Sequence, residues 1–251
     1  MKFLKDTTVM FVRLMRHITR SPDTIITTSI IPIAIMLMIV YVFGGAIDSG
    51  AVSYVSYQLP GILLIAIASG ISYTAFRLFG DVQSGIFERF HSMPIARSSF
   101  LWAHILTSLV ANMITIAVIF LVAIAMGFRS SSGFLSWLAC VGILLFFTFA
   151  LTWLALIPGL TAKSMEGATA FSYPLIFLPF ISSAFVPTET MPTVIRVFAK
   201  NQPVTSIVET LRALLNGGAV GNEIWVALAW LAGISVIAFV FAMRAYSRRE
   251  A

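Results

Sequence analysis

The amino-acid sequence predicts an all-α polytopic membrane protein, and two observations carry that prediction. Of 251 residues, 59% are hydrophobic and 10% are charged, whereas an ordinary soluble domain has about 25% charged residues. So little charge cannot cover a water-facing surface. Long runs free of Asp, Glu, Lys and Arg also recur along the chain, each near the roughly 20 residues a helix needs to cross a hydrocarbon core of about 30 Å. What remains between them is too scattered to form a separate catalytic domain.

Reading those runs in order places six transmembrane helices at Thr24–Ile47, Tyr54–Phe79, Ser99–Gly127, Phe134–Thr161, Gly167–Pro187 and Ile224–Met243. Arg77 alone intrudes, near enough to one end to snorkel; a charge at mid-bilayer would cost about 2.5–3.5 kcal/mol on insertion scales. Trp102, Trp137, Trp225 and Tyr246 sit near span ends, the headgroup level that amphipathic rings favour. Of the 16 Lys and Arg residues, 12 fall before the first span, at the end of the second span (Arg77), in the second and fourth connections and in the tail. By the positive-inside rule both termini are cytoplasmic. The organisation expected is a cytoplasmic interface helix at 1–23, a six-helix domain at 24–243 and a cytoplasmic tail at 244–251. A cleaved signal peptide is not expected, because the first apolar segment is longer than an h-region and follows about 23 polar-patterned residues.

Three segments outside the spans carry pattern. Phe11, Leu14, Met15 and Ile18 repeat at helical spacing, and Arg13, Arg16, His17 and Arg20 repeat two positions later, about 200° around the helix. That is an amphipathic helix lying in the membrane interface, its apolar face toward the acyl chains and its basic face toward anionic headgroups. The connection 80–98 is short and polar, with a helical turn or two over Ile86–Met93 ahead of Pro94, suited to a lever that meets a soluble partner. A generic anchor and a solvated connector are the plain readings of these two segments. The connection 188–223 is helical on the outer side: Val204, Ile207, Val208, Leu211, Leu214 and Leu215 keep helical spacing, Pro203 suits a first turn and Asn216-Gly217-Gly218 is a stop. It reads as short outer helices between spans five and six, lying on or dipping into the outer leaflet, with another turn around Thr193–Ala199. Pro174, Pro179 and Pro187 remove backbone donors from the fifth span, so a kinked helix leading into re-entrant pieces suggests an outer gate.

The chemistry the sequence lacks narrows the function. No G-x-x-x-x-G-K-[ST] occurs, so this chain has no P-loop of its own for ATP. The single Cys140 suggests neither a disulfide framework nor a cysteine metal site. Ala68-Ser69-Gly70 invites comparison with an intramembrane serine nucleophile, but the histidines are His17, His91 and His104, none in a late span, so close helix packing is the better reading. Inside the spans the polar groups reduce to Gln58, His104 and Asn112, too few acids for ordinary ion coupling. No catalytic residue and no metal ligand is assigned. The charge of +6 is a matter of topology here and does not point to nucleic acid.

The run Gly85-Ile86-Phe87-Glu88-Arg89-Phe90-His91-Ser92-Met93-Pro94-Ile95-Ala96-Arg97 resembles the coupling-loop signature of ABC type-2 permeases, above all the daunorubicin-resistance-type drug exporters, with one extra residue between Gly85 and Glu88. Ser183-Ala184-Phe185-Val186-Pro187, Met191-Pro192, Gln202-Pro203-Val204-Thr205 and Glu209-Thr210-Leu211-Arg212 resemble that family's outer segment. The resemblance implies a machine of two six-helix permease subunits, as a homodimer or a related heterodimer, with two copies of a nucleotide-binding ATPase subunit that holds ATP and Mg. By matching position it makes Glu88, Arg89, Phe90, Met93, Pro94 and Arg97 the contact with the ATPase, and adds Phe185 to the outer gate. It implies export of a hydrophobic or amphiphilic compound such as a drug, antibiotic or lipid-like molecule across the plasma membrane of a prokaryotic cell. Two other classes compete: a membrane scaffold or sensor binding a soluble regulator, and a small ion-coupled transporter. Flux that requires ATP and the ATPase separates them.

Overall fold

The computed structural model describes residues 2–20, 23–43, 54–86 and 98–250, and among these every regular element is a helix. In chain order they are α1 (Lys2–Arg20), α2 (Asp23–Met38, prolonged by a π turn at Ile39–Phe43), α3 (Tyr54–Gln83), α4 (Ser99–Ala125) and α5 (Phe134–Thr161). Then follow α6 (Met165–Ala170), α7 (Ser172–Phe177, running into a 3-10 turn at Leu178–Ile181), a 3-10 turn at Thr188–Thr190, α8 (Thr193–Asn201), α9 (Pro203–Asn216) and α10 (Glu223–Glu250). Among the described residues α3, α4, α5 and α10 are long and apolar enough to cross a membrane, while residues 26–42 and 165–181 form shorter apolar helices. The first and fifth expected spans therefore correspond to these short helices. Residues 44–47 of the first span lie outside the described residues, as do Glu88, Arg89, Phe90, Met93, Pro94 and Arg97.

Prolines set the breaks. Pro174 lacks the N–H that would reach the carbonyl of Ala170, and α6 ends at Ala170. Pro179 likewise withholds a donor from Leu175, and the helix tightens into a 3-10 turn at Leu178. α9 runs from Pro203 in its first turn to Asn216, and Gly217 caps it at φ 69° with the Gly218 N–H on the Ala213 carbonyl at 2.9 Å. The α4–α5 connection completes that cap, since the Ser130 and Ser131 hydroxyls donate to the carbonyls of Leu215 and Asn216 at 2.7 and 2.9 Å.

α3 is the central rod. From Tyr54 to Ala68 every residue but Tyr57 is buried. α2, α4, α5, α6, α7 and α9 all pack on it, as a helix that is apolar all round requires. α10 lies outside, packed mainly on α5, with Val236, Ile237, Phe239, Val240 and Phe241 exposed as a lipid-facing stripe. Trp153 of α5 joins the layers, edge-on to Trp102 of α4 and Phe239 of α10 at ring-centroid distances of 5.8 and 4.9 Å. The α3–α5 seam closes on Gly159, where an added Cβ would stand 2.9 Å from Cδ2 of Leu78 and 3.2 Å from the Ala75 carbonyl oxygen. Only glycine lets the two backbones approach so closely.

Two amphipathic helices pack differently from a lipid-facing reading. The apolar side of α1, expected toward the acyl chains, has Met10, Leu14 and Ile18 buried, Met10 and Leu14 in a cluster with Leu78, Phe100, Leu101 and Tyr246. The apolar side of α9, expected on the outer leaflet, is buried against α3, α5 and α10. A helical stripe is the same pattern whether its partner is lipid or protein, so spacing alone does not separate the two. α8 keeps Val194, Val197 and Phe198 exposed.

Gly159→Leu is expected to overpack the α3–α5 seam and lower the thermal unfolding midpoint by several degrees, in keeping with about 1–3 kcal/mol for inserted core volume. Gly142→Ala, whose methyl meets nothing within 4 Å, should leave the midpoint unlowered. Indistinguishable midpoints for the two variants would show that this seam does not set the helix spacing.

Candidate functional site

The bundle has two differently built ends, joined by α3. At the end that carries α1, Asp81 occupies the last turn of α3, just before the connection 84–98. Arg13 of α1 donates through Nη2 to Asp81 Oδ2 at 2.5 Å, and His104 Nε2 of α4 stands 3.3 Å from the same oxygen. The side chains are 31% exposed for Arg13, 17% for Asp81 and 1% for His104, so the cluster is shielded from water. The Arg13–Asp81 hydrogen bond thus ties α1 to α3, and His104 of α4 stands within ion-pair distance of the same carboxylate, its Nε2 making no hydrogen bond. Arg13 was expected on the headgroup-facing side of α1 with Arg16, His17 and Arg20. Arg16 is exposed, and the side chains of His17 and Arg20 lie outside the described residues.

A polar seam continues from this cluster into the bundle along one face of α4, through His104, Ser108, Asn112 and Thr115. Ser108 shares a hydrogen bond with Thr152 of α5 at 2.9 Å, and Thr115 shares one with Thr28 of α2 at 3.3 Å. Asn112 donates to the Ser108 carbonyl at 2.9 Å and lies against Gly70 of α3, where any Cβ would collide with its side chain. Asn112 Oδ1, with Nε and Nη1 of Arg77, is buried without a hydrogen-bond partner. Arg77 is partly exposed and borders a narrow crevice with Thr28, Gly70, Tyr73, Asn112 and Thr115.

At the opposite end Arg212 of α9 does the pinning. Its Nη1 donates to Glu209 at 2.7 Å, and its Nη2 donates to the carbonyls of Tyr57 at 3.1 Å and Ser183 at 2.7 Å. The guanidinium also lies 3.8 Å from the centre of the Tyr57 ring. Turn 182–186, which holds the gate candidate Phe185, is thereby tied to α3 and α9. Tyr54 holds it again, its hydroxyl donating to the Phe185 carbonyl at 3.2 Å, and Gln202 donates to the carbonyl of Ile181. Of the four gate candidates, Phe185 is buried and stacks on Phe180 at 4.9 Å, and Pro179 is buried with its carbonyl accepting from Ser182 at 2.6 Å. Pro187 is half-buried, and Pro174 of α7 is exposed. Ala184 seats against Gly61 of α3, which has no room for a Cβ there.

Asp81 and Ser108 are site residues that sequence reading missed, and Arg212 entered it only as part of the outer-segment motif, with no role. The four-residue spacing of His104, Ser108 and Asn112 signals the seam, but nothing local signals that Asp81 meets Arg13 across 68 positions. Among the described residues no three His, Cys, Asp or Glu side chains gather as a metal-binding group.

Fold and site together define a multi-pass α-helical membrane protein whose central helix is clamped at both ends. The sequence profile described as ABC-2 type transporter matches residues 5–216, and the chain belongs to that family as a transmembrane permease subunit. The matched stretch runs from α1 to the last residue of α9 and so contains both clamps. Among its relatives are the daunorubicin resistance ABC transporter permease protein DrrB1 of Streptomyces coeruleorubidus, 27% identical over 243 residues that cover 95% of this chain and 85% of that protein. The probable doxorubicin resistance ABC transporter permease protein DrrC of Mycobacterium tuberculosis is 27% identical over 246 residues, 95% of this chain and 87% of that protein.

Arg212→Ala is expected to raise hydrogen exchange across 182–187, because each carbonyl left without a donor costs about 1–3 kcal/mol. Arg212→Lys, which cannot reproduce the fork, should fall between the two; exchange equal to that of the unmodified chain in both would remove the outer clamp. For the inner end, Asp81→Asn weakens a bond to a charged partner that contributes about 1.5–3 kcal/mol. Exchange over residues 3–18 should then accelerate, and an unchanged rate would show that apolar packing alone holds α1.

Proposed function

We propose that this permease works as the membrane half of an ATP-driven exporter that moves hydrophobic or amphiphilic compounds outward, two copies or a copy and a related permease pairing with two ATPase subunits. The ATPase partner holds ATP and Mg, and its nucleotide cycle is the energy source. Drugs such as daunorubicin and doxorubicin, for which the relatives are named, are the leading substrate class. On this reading both termini and the connection 80–98 face the cytoplasm of a prokaryotic cell, with the chain in its plasma membrane.

The observation that carries the mechanism is the Arg13–Asp81–His104 cluster. It lies where α3 leaves the bundle toward 84–98, so a push on that connection is delivered to α1, α3 and α4 together rather than to a loose loop. Two ATPase states can shift the permease only by contacting its two states differently. Glu88, Arg89, Phe90, Met93, Pro94 and Arg97 are proposed to make that contact, with α1 as a second. α3 then carries the displacement to Tyr57 and to the turn 182–186 held by Arg212.

The test is flux in reconstituted vesicles. Export of doxorubicin should require the ATPase subunit and ATP together, and Glu88→Ala or Pro94→Ala should abolish export while ATP hydrolysis by the complex and the thermal midpoint persist. Transport by the permease alone down an ion gradient, or undiminished export by both variants, would overturn this reading.

A further inference from the structure

The end of the bundle that holds Asp81 carries a second feature, on the outside of the α5–α10 pair. There a cleft of about 550 Å³ is lined by Ile157, Leu160 and Thr161 of α5 and by Phe241, Arg244, Arg248 and Arg249 of α10. That volume falls within the about 300–1,000 Å³ typical of ligand clefts. Arg249 is fixed in place by donating its Nε–H to the Leu160 carbonyl. Arg244 and Arg248 are one turn apart on α10, and among the described residues no carboxylate pairs with any of the three guanidiniums. Among the described side chains no acid lines the cleft.

A second, smaller cleft of about 260 Å³ shares Ile157 and Thr161 with the first and extends between Leu154 and Pro158 of α5, Phe171 and Leu175 of α7. Its lining is apolar apart from Thr161, whose hydroxyl is spent on the Ile157 carbonyl at 2.8 Å. Going from Thr161 to Leu154 means moving two turns along α5, from the helix end into the span. The joined groove is therefore cationic at the membrane boundary and apolar toward the membrane interior, and Phe241 at its mouth is 53% exposed on the lipid-facing side of α10.

We infer that this groove binds one anionic phospholipid, its phosphate held by Arg244, Arg248 and Arg249 and an acyl chain laid along Ile157, Leu154 and Leu175. Charge complementarity selects the headgroup, since three uncompensated guanidiniums bind a phosphate through charge-assisted bonds and a zwitterionic head returns part of that gain as repulsion. The apolar arm selects an amphiphile over free phosphate. Seated there, the lipid bridges α5, α7 and α10, and α10 otherwise reaches α7 through no extensive packing of its own. The site does not depend on transport or on the ATPase, so its test is separate from that of the proposed function.

The full-length chain in dodecyl maltoside is titrated with dioleoyl-phosphatidylglycerol and with dioleoyl-phosphatidylcholine, and retained lipid is counted by native mass spectrometry. One phosphatidylglycerol should bind about tenfold or more tighter than phosphatidylcholine, with affinity falling about fivefold for each arginine neutralised in Arg244→Gln and Arg248→Gln. Lys5→Gln, which removes an exposed cation from α1 at the same end of the bundle, should leave it unchanged. Thr161→Phe, which blocks the junction of the two clefts, should weaken dioleoyl-phosphatidylglycerol but not the dihexanoyl form. Equal binding of the two dioleoyl lipids, an undiminished preference in the double Gln variant, or a loss in Lys5→Gln as large as in Arg248→Gln would each overturn the assignment. Should the double variant fail to purify, Arg248→Gln alone carries the comparison with Lys5→Gln.

Discussion

Between Tyr54 and Ala68, α3 has no face left for lipid, and a helix in that position can exist only while its neighbours wrap it. The rest of the molecule is arranged around that requirement. α2, α4 and α5 supply long packing surfaces, and α6, α7 and α9 fill what the long helices leave uncovered. Close-packed interiors do not deform continuously, so displacing α3 at one end demands repacking along its length. Clamps at Asp81 and at Tyr57 make those two ends the places where displacement is received and delivered.

The outer clamp follows from the prolines. Each proline in 165–187 removes a backbone donor, and within a membrane a carbonyl without a donor must find one inside the protein. Arg212 answers for one of these, the Ser183 carbonyl four residues before Pro187, and the same fork reaches the Tyr57 carbonyl of α3 while its plane covers the Tyr57 ring. The broken helix and the arginine are thus two halves of one solution. A straight fifth helix would need no Arg212, and without Arg212 the turn at Phe185 would be held mainly by the Tyr54 hydroxyl, the Gln202 amide and the seat against Gly61.

Cationic side chains serve three distinct ends in this chain. Arg13 is consumed by Asp81, Arg212 by backbone carbonyls and Glu209, and the α10 arginines face a cleft that no acid among the described side chains lines. The positive-inside count treats members of all three groups as equivalent markers of topology. Their partners differ because partner identity depends on which helices lie adjacent.

Much of the architecture was legible in the chain itself. Runs without charge mark α3, α4 and α5 to within four residues, while α10 runs seven residues past Met243; Pro203 and Asn216-Gly217-Gly218 bound α9, and the prolines after Gly167 announce a broken helix. Those features are local: they depend on hydropathy over about 20 residues and on which residues lack an N–H or tolerate positive φ. Whether the stripes of α1 and α9 face lipid or protein, that Asp81 joins Arg13 and His104, and that Arg212 reaches across 155 positions to Tyr57 were settled only by tertiary packing. An amphipathic stripe or a lone arginine states what kind of partner it needs, and three-dimensional adjacency alone decides which partner it receives.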